Sequence, residues 1–227
     1  MDIVFREPLF YVFFAYGASF LTLSFVVFYG MRKATTITLI TIFYALVLFG
    51  LTHGITELID WVRFILSVTG TGEIGILKYL SQIFLITSFV ILLQFGVSLL
   101  TYRTEKMRLF RLIPVVLFAV YVAALLMTDV ADVIQAGLMA RYSFGFPGAL
   151  LSSIALFKLS YSMRSIGSAA LIKGLFVCAT GFALYAVFGG LVTRPIAGFP
   201  VQLFRTACAL TIAISSFHIL DVFKVSE

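Results

Sequence analysis

Charge is scarce in this chain. Sixteen Lys and Arg and ten Asp and Glu make up only 11% of its 227 residues, against about a quarter in a soluble domain. With 62% hydrophobic residues and a mean hydropathy of +1.12, that scarcity excludes a water-facing surface and defines an integral membrane protein. Histidine and cysteine are as sparse, two of each. Cys178 and Cys208 fall inside apolar runs, where a free thiol behaves as a small hydrophobe. A Cys metal cluster, a Gly-rich phosphate loop and a nucleophile triad are all missing from the sequence, so this region is not expected to be an enzyme. Its basic residues form no single patch, which argues against nucleic acid and leaves the lipid bilayer as the partner.

What is abundant is the long apolar run. Each crossing of a hydrocarbon core about 30 Å thick takes roughly 20 apolar residues, so the chain accommodates about seven spans and little else. The runs are continuous rather than alternating, which excludes a closed barrel. The spans are expected at about 9–30, 35–59, 76–102, 109–129, 144–163, 167–192 and 200–223, forming one all-α bundle of seven transmembrane helices over residues 1–227. Gly70-Thr-Gly72, Arg194-Pro195 and Gly198-Phe-Pro200 mark turns, and Pro200 is placed to open the last helix. The first run is too long for a signal-peptide core and lacks a basic leader, so no cleaved leader is expected.

Counting Lys and Arg near the span ends orients the bundle. With the N-terminus outside, ten of the sixteen basic residues collect on the inner side, and the net charge splits −1 outside and +7 inside. The C-terminus is then cytoplasmic. Gly167, Gly174 and Gly181 recur every seventh residue in the sixth span. Such a stripe serves either ordinary packing within the bundle or the seam of a homodimer.

Ionisable residues at membrane depth are expensive and point to function. The stretch FGLTHGITELIDW carries His53, Glu57 and Asp60 at i, i+4 and i+7, on one helical face. At 1.5 Å per residue His53 is expected about 28 Å above the inner end of its helix, near the outer interface. MARYSFGFPGALL brings Arg141 to that level, and FPVQLFRTACAL puts Arg205 about a turn and a half inside the last helix. A carboxylate at depth calls for a cation and an arginine for a carboxylate, so Glu57, Asp60, Arg141 and Arg205 are expected to pair, with Trp61 as an interfacial anchor. The cluster is either a structural clasp or a ligand pocket open to the outside with His53 at its floor.

Haem is a second expectation, with His53 as ligand in an aromatic-rich surround of 25 Phe and 10 Tyr. His218 is the other candidate ligand, but it lies about 9 Å from the inner end of the last helix and roughly 20 Å from His53 along the membrane normal. One subunit cannot clamp an iron between the two. A retinal protein would carry a lysine in mid-helix, whereas the last span has none before Lys224. A small transporter would offer polar groups along the midplane, and these are few.

FGLTHGITELIDW, RYSFGFPGALL and the P-x3-FR at the head of the seventh helix resemble the N-terminal heptahelical input region of bacterial sensor histidine kinases and diguanylate cyclases. The resemblance runs from the second helix to the seventh and rests on His53, Gly54, Glu57, Trp61, Arg141, Pro147 and Arg205. It implies a sensory input domain in a two-component system, with a cytoplasmic output domain after the last helix. It supplies no ligand, and His218 has no place in it. ILDVFKVSE leaves the last span as a helix with no stop signal, as expected if a signalling coiled coil follows.

Overall fold

The computed structural model describes residues 7–32, 37–72, 74–102, 105–127, 133–165 and 168–222. Seven helices are long and apolar enough to cross a membrane. They are α1 (Pro8–Met31), α2 (Ile37–Val68), α3 (Gly75–Leu100), α4 (Ile113–Met127, its span starting at Leu109), α5, α6 and α7 (Val201–Asp221). A 3-10 helix, Glu105–Leu112, leads into α4. The fifth span, α5, consists of Val133–Ala140, a π-helical turn Arg141–Gly145, and Phe146–Ser162. The sixth, α6, is α-helical over Ala169–Tyr185 and π-helical over Ala186–Leu191. The chain is therefore a multi-pass membrane protein with a helical bundle architecture, and no strand is present among the described residues.

Six helices form a closed ring in the order α1, α2, α3, α5, α6, α7 and back to α1. Lipid tails give no hydrophobic drive for helices to associate, so close packing and interhelical hydrogen bonds must hold the ring. Glycine supplies the first. A Cβ at Gly50 would meet the α1 backbone at Phe20 O, 2.9 Å away, and one at Gly148 of α5 would meet Leu93 N of α3 at 2.7 Å. Serine supplies the second: Ser24 Oγ donates to Val47 O at 2.9 Å between α1 and α2, and Ser153 Oγ to Ala179 O at 2.8 Å between α5 and α6. In the α6 stripe, Gly174 and Gly181 face Ile219 and Ile212 of α7 in the same chain, so at these positions the stripe is internal packing. Gly167 lies outside the described residues.

α4 stands outside this ring. Its buried residues are Pro114 and Tyr121. The Tyr121 hydroxyl donates to Ala136 O at 2.7 Å and its ring meets Phe144 edge-on, which ties α4 to α5.

Two boundaries depart from expectation. α2 continues to Val68, nine residues beyond 59, because Asp60 and Arg63 neutralise each other one turn apart at 2.7 Å and no breaker intervenes before Gly70 at φ 71°. α5 begins at Val133 instead of near 144, with Arg141 inside the span. Between α6 and α7, Ile196 and Phe199 exchange two backbone hydrogen bonds around Ala197 (φ 50°) and Gly198 (φ 82°), a two-residue hairpin of the kind that asks for positive φ at both central positions. Pro200 then caps α7.

Candidate functional site

His53 sits halfway along α2, fully buried, and its partner Ser88 lies midway along α3. It is thus deeper than the outer interface at which a helix ending near 59 would place it. Both ring nitrogens are engaged. Ser88 Oγ lies 2.9 Å from Nδ1 while donating its own proton to Leu85 O at 2.7 Å, so Nδ1 carries the imidazole proton and Nε2 accepts. Facing Nε2 are the hydroxyls of Tyr16 on α1 at 3.2 Å and Tyr185 on α6 at 3.1 Å. Four helices therefore meet at one imidazole.

Aromatic rings enclose it. Phe20, Phe49 and Phe89 have centroids 4.4, 5.4 and 5.4 Å from the imidazole, and the rings of Tyr16 and Tyr185 approach edge-on. All five are essentially inaccessible. This filling replaces the expected open pocket with His53 at its floor. It also leaves no free nitrogen for an iron, so His53 does not fit an axial haem ligand. His218 lies exposed in the last turn of α7, against Phe217.

Glu57 is buried one turn from His53, its Oε1 3.6 Å from Nε2. The expected pairing of Glu57 and Asp60 with the two arginines is not formed: Glu57 approaches the neutral imidazole of His53, and Asp60 pairs with Arg63 at 2.7 Å. Asp60 also accepts from Ser81 Oγ at 2.8 Å and borders a shallow surface hollow with Phe13, Phe64 and Ser67, separate from His53. Trp61 packs against Phe10 and Phe14 of α1, with no hydrogen-bond partner for its indole N–H among the described residues.

The arginines serve a different acceptor. Arg205 Nε donates to Phe188 O at 2.7 Å and Nη2 to Val192 O at 2.8 Å, and Arg141 Nη1 donates to Gly189 O. The physical reason is the end of α6: Phe188 O and Gly189 O in its last, π-helical turn and Val192 O just beyond have no following turn to donate to them. A guanidinium with its planar fork is suited to capture them. Both cations remain linked to the imidazole through single rings, Arg205 over Tyr16 at 6.0 Å and Arg141 over Phe89 at 5.4 Å.

Of the five residues expected in the polar cluster, His53, Glu57, Arg141 and Arg205 gather around this core, while Asp60 belongs to the α2 surface. Tyr16, Ser88, Tyr185 and the α6 π segment escaped the reading, since ten tyrosines with no charge give no pattern to select two of them. Gly189-Gly190 directly after the Tyr185 turn was the available signal for irregular backbone.

No protein-family model matches the chain, and neither the curated proteins nor the solved structures include a match.

Proposed function

We propose that this bundle is a signal-input module, in which the state of the His53 cluster is relayed through the π segment of α6 to α7. One observation carries the reading: Tyr185 bonds His53 and is also the last α-helical residue before the π segment, whose carbonyls are held by arginines on α5 and α7. π segments recur at functional sites because they are one register shift from an ordinary α-helix. Such a shift would release the Arg205 contacts and move α7 as a rigid element. The motif resemblance extends the reading to the sensory domain of a histidine-kinase-type protein, homodimeric in a bacterial cytoplasmic membrane, with the N-terminus outside and the C-terminus cytoplasmic. A haem protein or a small carrier is less well supported, because the imidazole is fully bonded and walled by rings.

The test is a distance measurement. Spin labels at Ser162 and Val222, both exposed near span ends, report how α7 sits against α5. Tyr185→Phe and Arg205→Lys are expected to displace or broaden the distance distribution relative to wild type. Unchanged distributions in variants that remain folded would dispose of the relay.

A further inference from the structure

The groove between α4 and the ring is unrelated to the His53 cluster. α3 and α5 are drawn together at Gly96 and Gly148, where a Cβ at Gly96 would lie 2.8 Å from Gly148 O, so α4 cannot seat between them. What remains is a groove of about 360 Å³ lined by Val97 and Leu100 of α3, Phe110, Ile113 and Leu117 from the α4 side, and Leu151 of α5. That is the size of a small-molecule site. Its walls carry no charged side chain; Thr101 and Ser143 are the polar residues among them.

We propose that this groove binds one acyl chain of an anionic phospholipid whose headgroup rests on Arg111. The body of the occupant follows from the walls: an apolar groove within a bilayer excludes water, and hydrocarbon is the solvent at hand.

The head follows from charge. At the end of α3, Thr101 lines the groove and holds the half-buried Arg111, with Nε donating to Thr101 Oγ1 at 3.2 Å and Nη2 to Thr101 O at 3.4 Å. Two of the three guanidinium nitrogens are thereby fixed, and Nη1 has no partner among the described residues. A smaller hollow of about 90 Å³ shares Leu100 with the groove and is bordered by Lys158, Tyr102 and Ser162. An apolar trough ending beside two cations matches an amphiphile with a negative head, and a choline would set its own cation against them. The inference does not rest on the signal-input reading; a protein with no signalling output would bind the same lipid.

Purified protein is given phosphatidylglycerol or phosphatidylcholine with identical acyl chains, and lipid retained per chain is read by native mass spectrometry alongside the melting temperature. Phosphatidylglycerol is expected to remain as one adduct and raise the melting temperature, and phosphatidylcholine to do neither. Arg111→Gln should weaken retention about tenfold, the scale of one charge-assisted hydrogen bond. Leu117→Trp, which fills the groove, should abolish it, while Val116→Trp on the exposed side of α4 should not. Equal retention of the two lipids, or retention of phosphatidylglycerol unaffected by Arg111→Gln, would overturn the proposal. So would a loss of dimer in Leu117→Trp with the lipid still bound. If Leu117→Trp does not fold, the Arg111→Gln arm decides alone.

Discussion

Tyr185 and His53 stand 132 positions apart, yet the tyrosine hydroxyl lies 3.1 Å from Nε2 of the imidazole. Tyr16 reaches the same nitrogen from the other side at 3.2 Å. A single lone pair thus has two donors, and either can serve it when the other is lost.

Strong coupling between the two tyrosines follows. Each single change to Phe should cost about 0.5–1.5 kcal/mol, while the double variant leaves a buried acceptor unmet and adds a penalty of about 1–3 kcal/mol. A double-mutant cycle on unfolding of the detergent-solubilised protein measures this. Strict additivity would show that only one hydroxyl bonds the imidazole.

Arg205→Lys should destabilise the bundle although the charge is kept. A point-like ammonium cannot span Phe188 O and Val192 O, so one carbonyl is stranded at about 1–3 kcal/mol. Arg194→Lys, in the exposed turn before α7, serves as the control and should leave the melting temperature unchanged. Equal shifts in the two variants would show that the fork is not what matters.

Glu57→Gln should be milder than Arg205→Gln. The sequence suggested that Glu57 neutralises an arginine, in which case its removal would strand a charge. Because both guanidiniums bond carbonyls of α6, the neutral amide leaves them satisfied and perturbs mainly the 3.6 Å approach to His53. Thermal unfolding of the two variants side by side decides the order, and a larger loss for Glu57→Gln would restore the ion-pair view.

Gly148→Ala and Gly75→Ala should differ sharply. The added methyl at Gly148 strikes α3 backbone, where a side chain cannot simply rotate away, at a cost of about 1–3 kcal/mol. At Gly75 it meets open space and should stay within about 0.5 kcal/mol of wild type. Comparable melting temperatures would mean that α3 and α5 are looser than this crossing implies.

The spans were legible because bilayer thickness imposes one length on every apolar run, and five of the seven fell within a few residues of their observed ends. α2 and α5 run past the expected ends at 59 and 144 because charge does not stop either helix. Asp60 and Arg63 cancel one another within a turn, and Arg141 is consumed by a carbonyl of a neighbouring helix, so neither interrupts its helix. The same substitution of acceptor misled the reading of the site. Sequence lists charged side chains but not the carbonyls left open where a helix ends, and the arginines were assigned to the anions of the second helix. His53 and Arg205 were found because charge at depth is rare; Tyr16 and Tyr185 were not, because aromatics are everywhere in this chain.

The ring of six helices closes between α1 and α7, its first and last members. During synthesis the seam is therefore made after the other helices of the ring have entered the membrane. Tyr16 can reach His53 as soon as the hairpin of α1 and α2 forms, whereas Tyr185 arrives only with α6 and Arg205 only with α7. The core is completed in stages, and the nascent chain carries a half-bonded histidine until α6 is inserted.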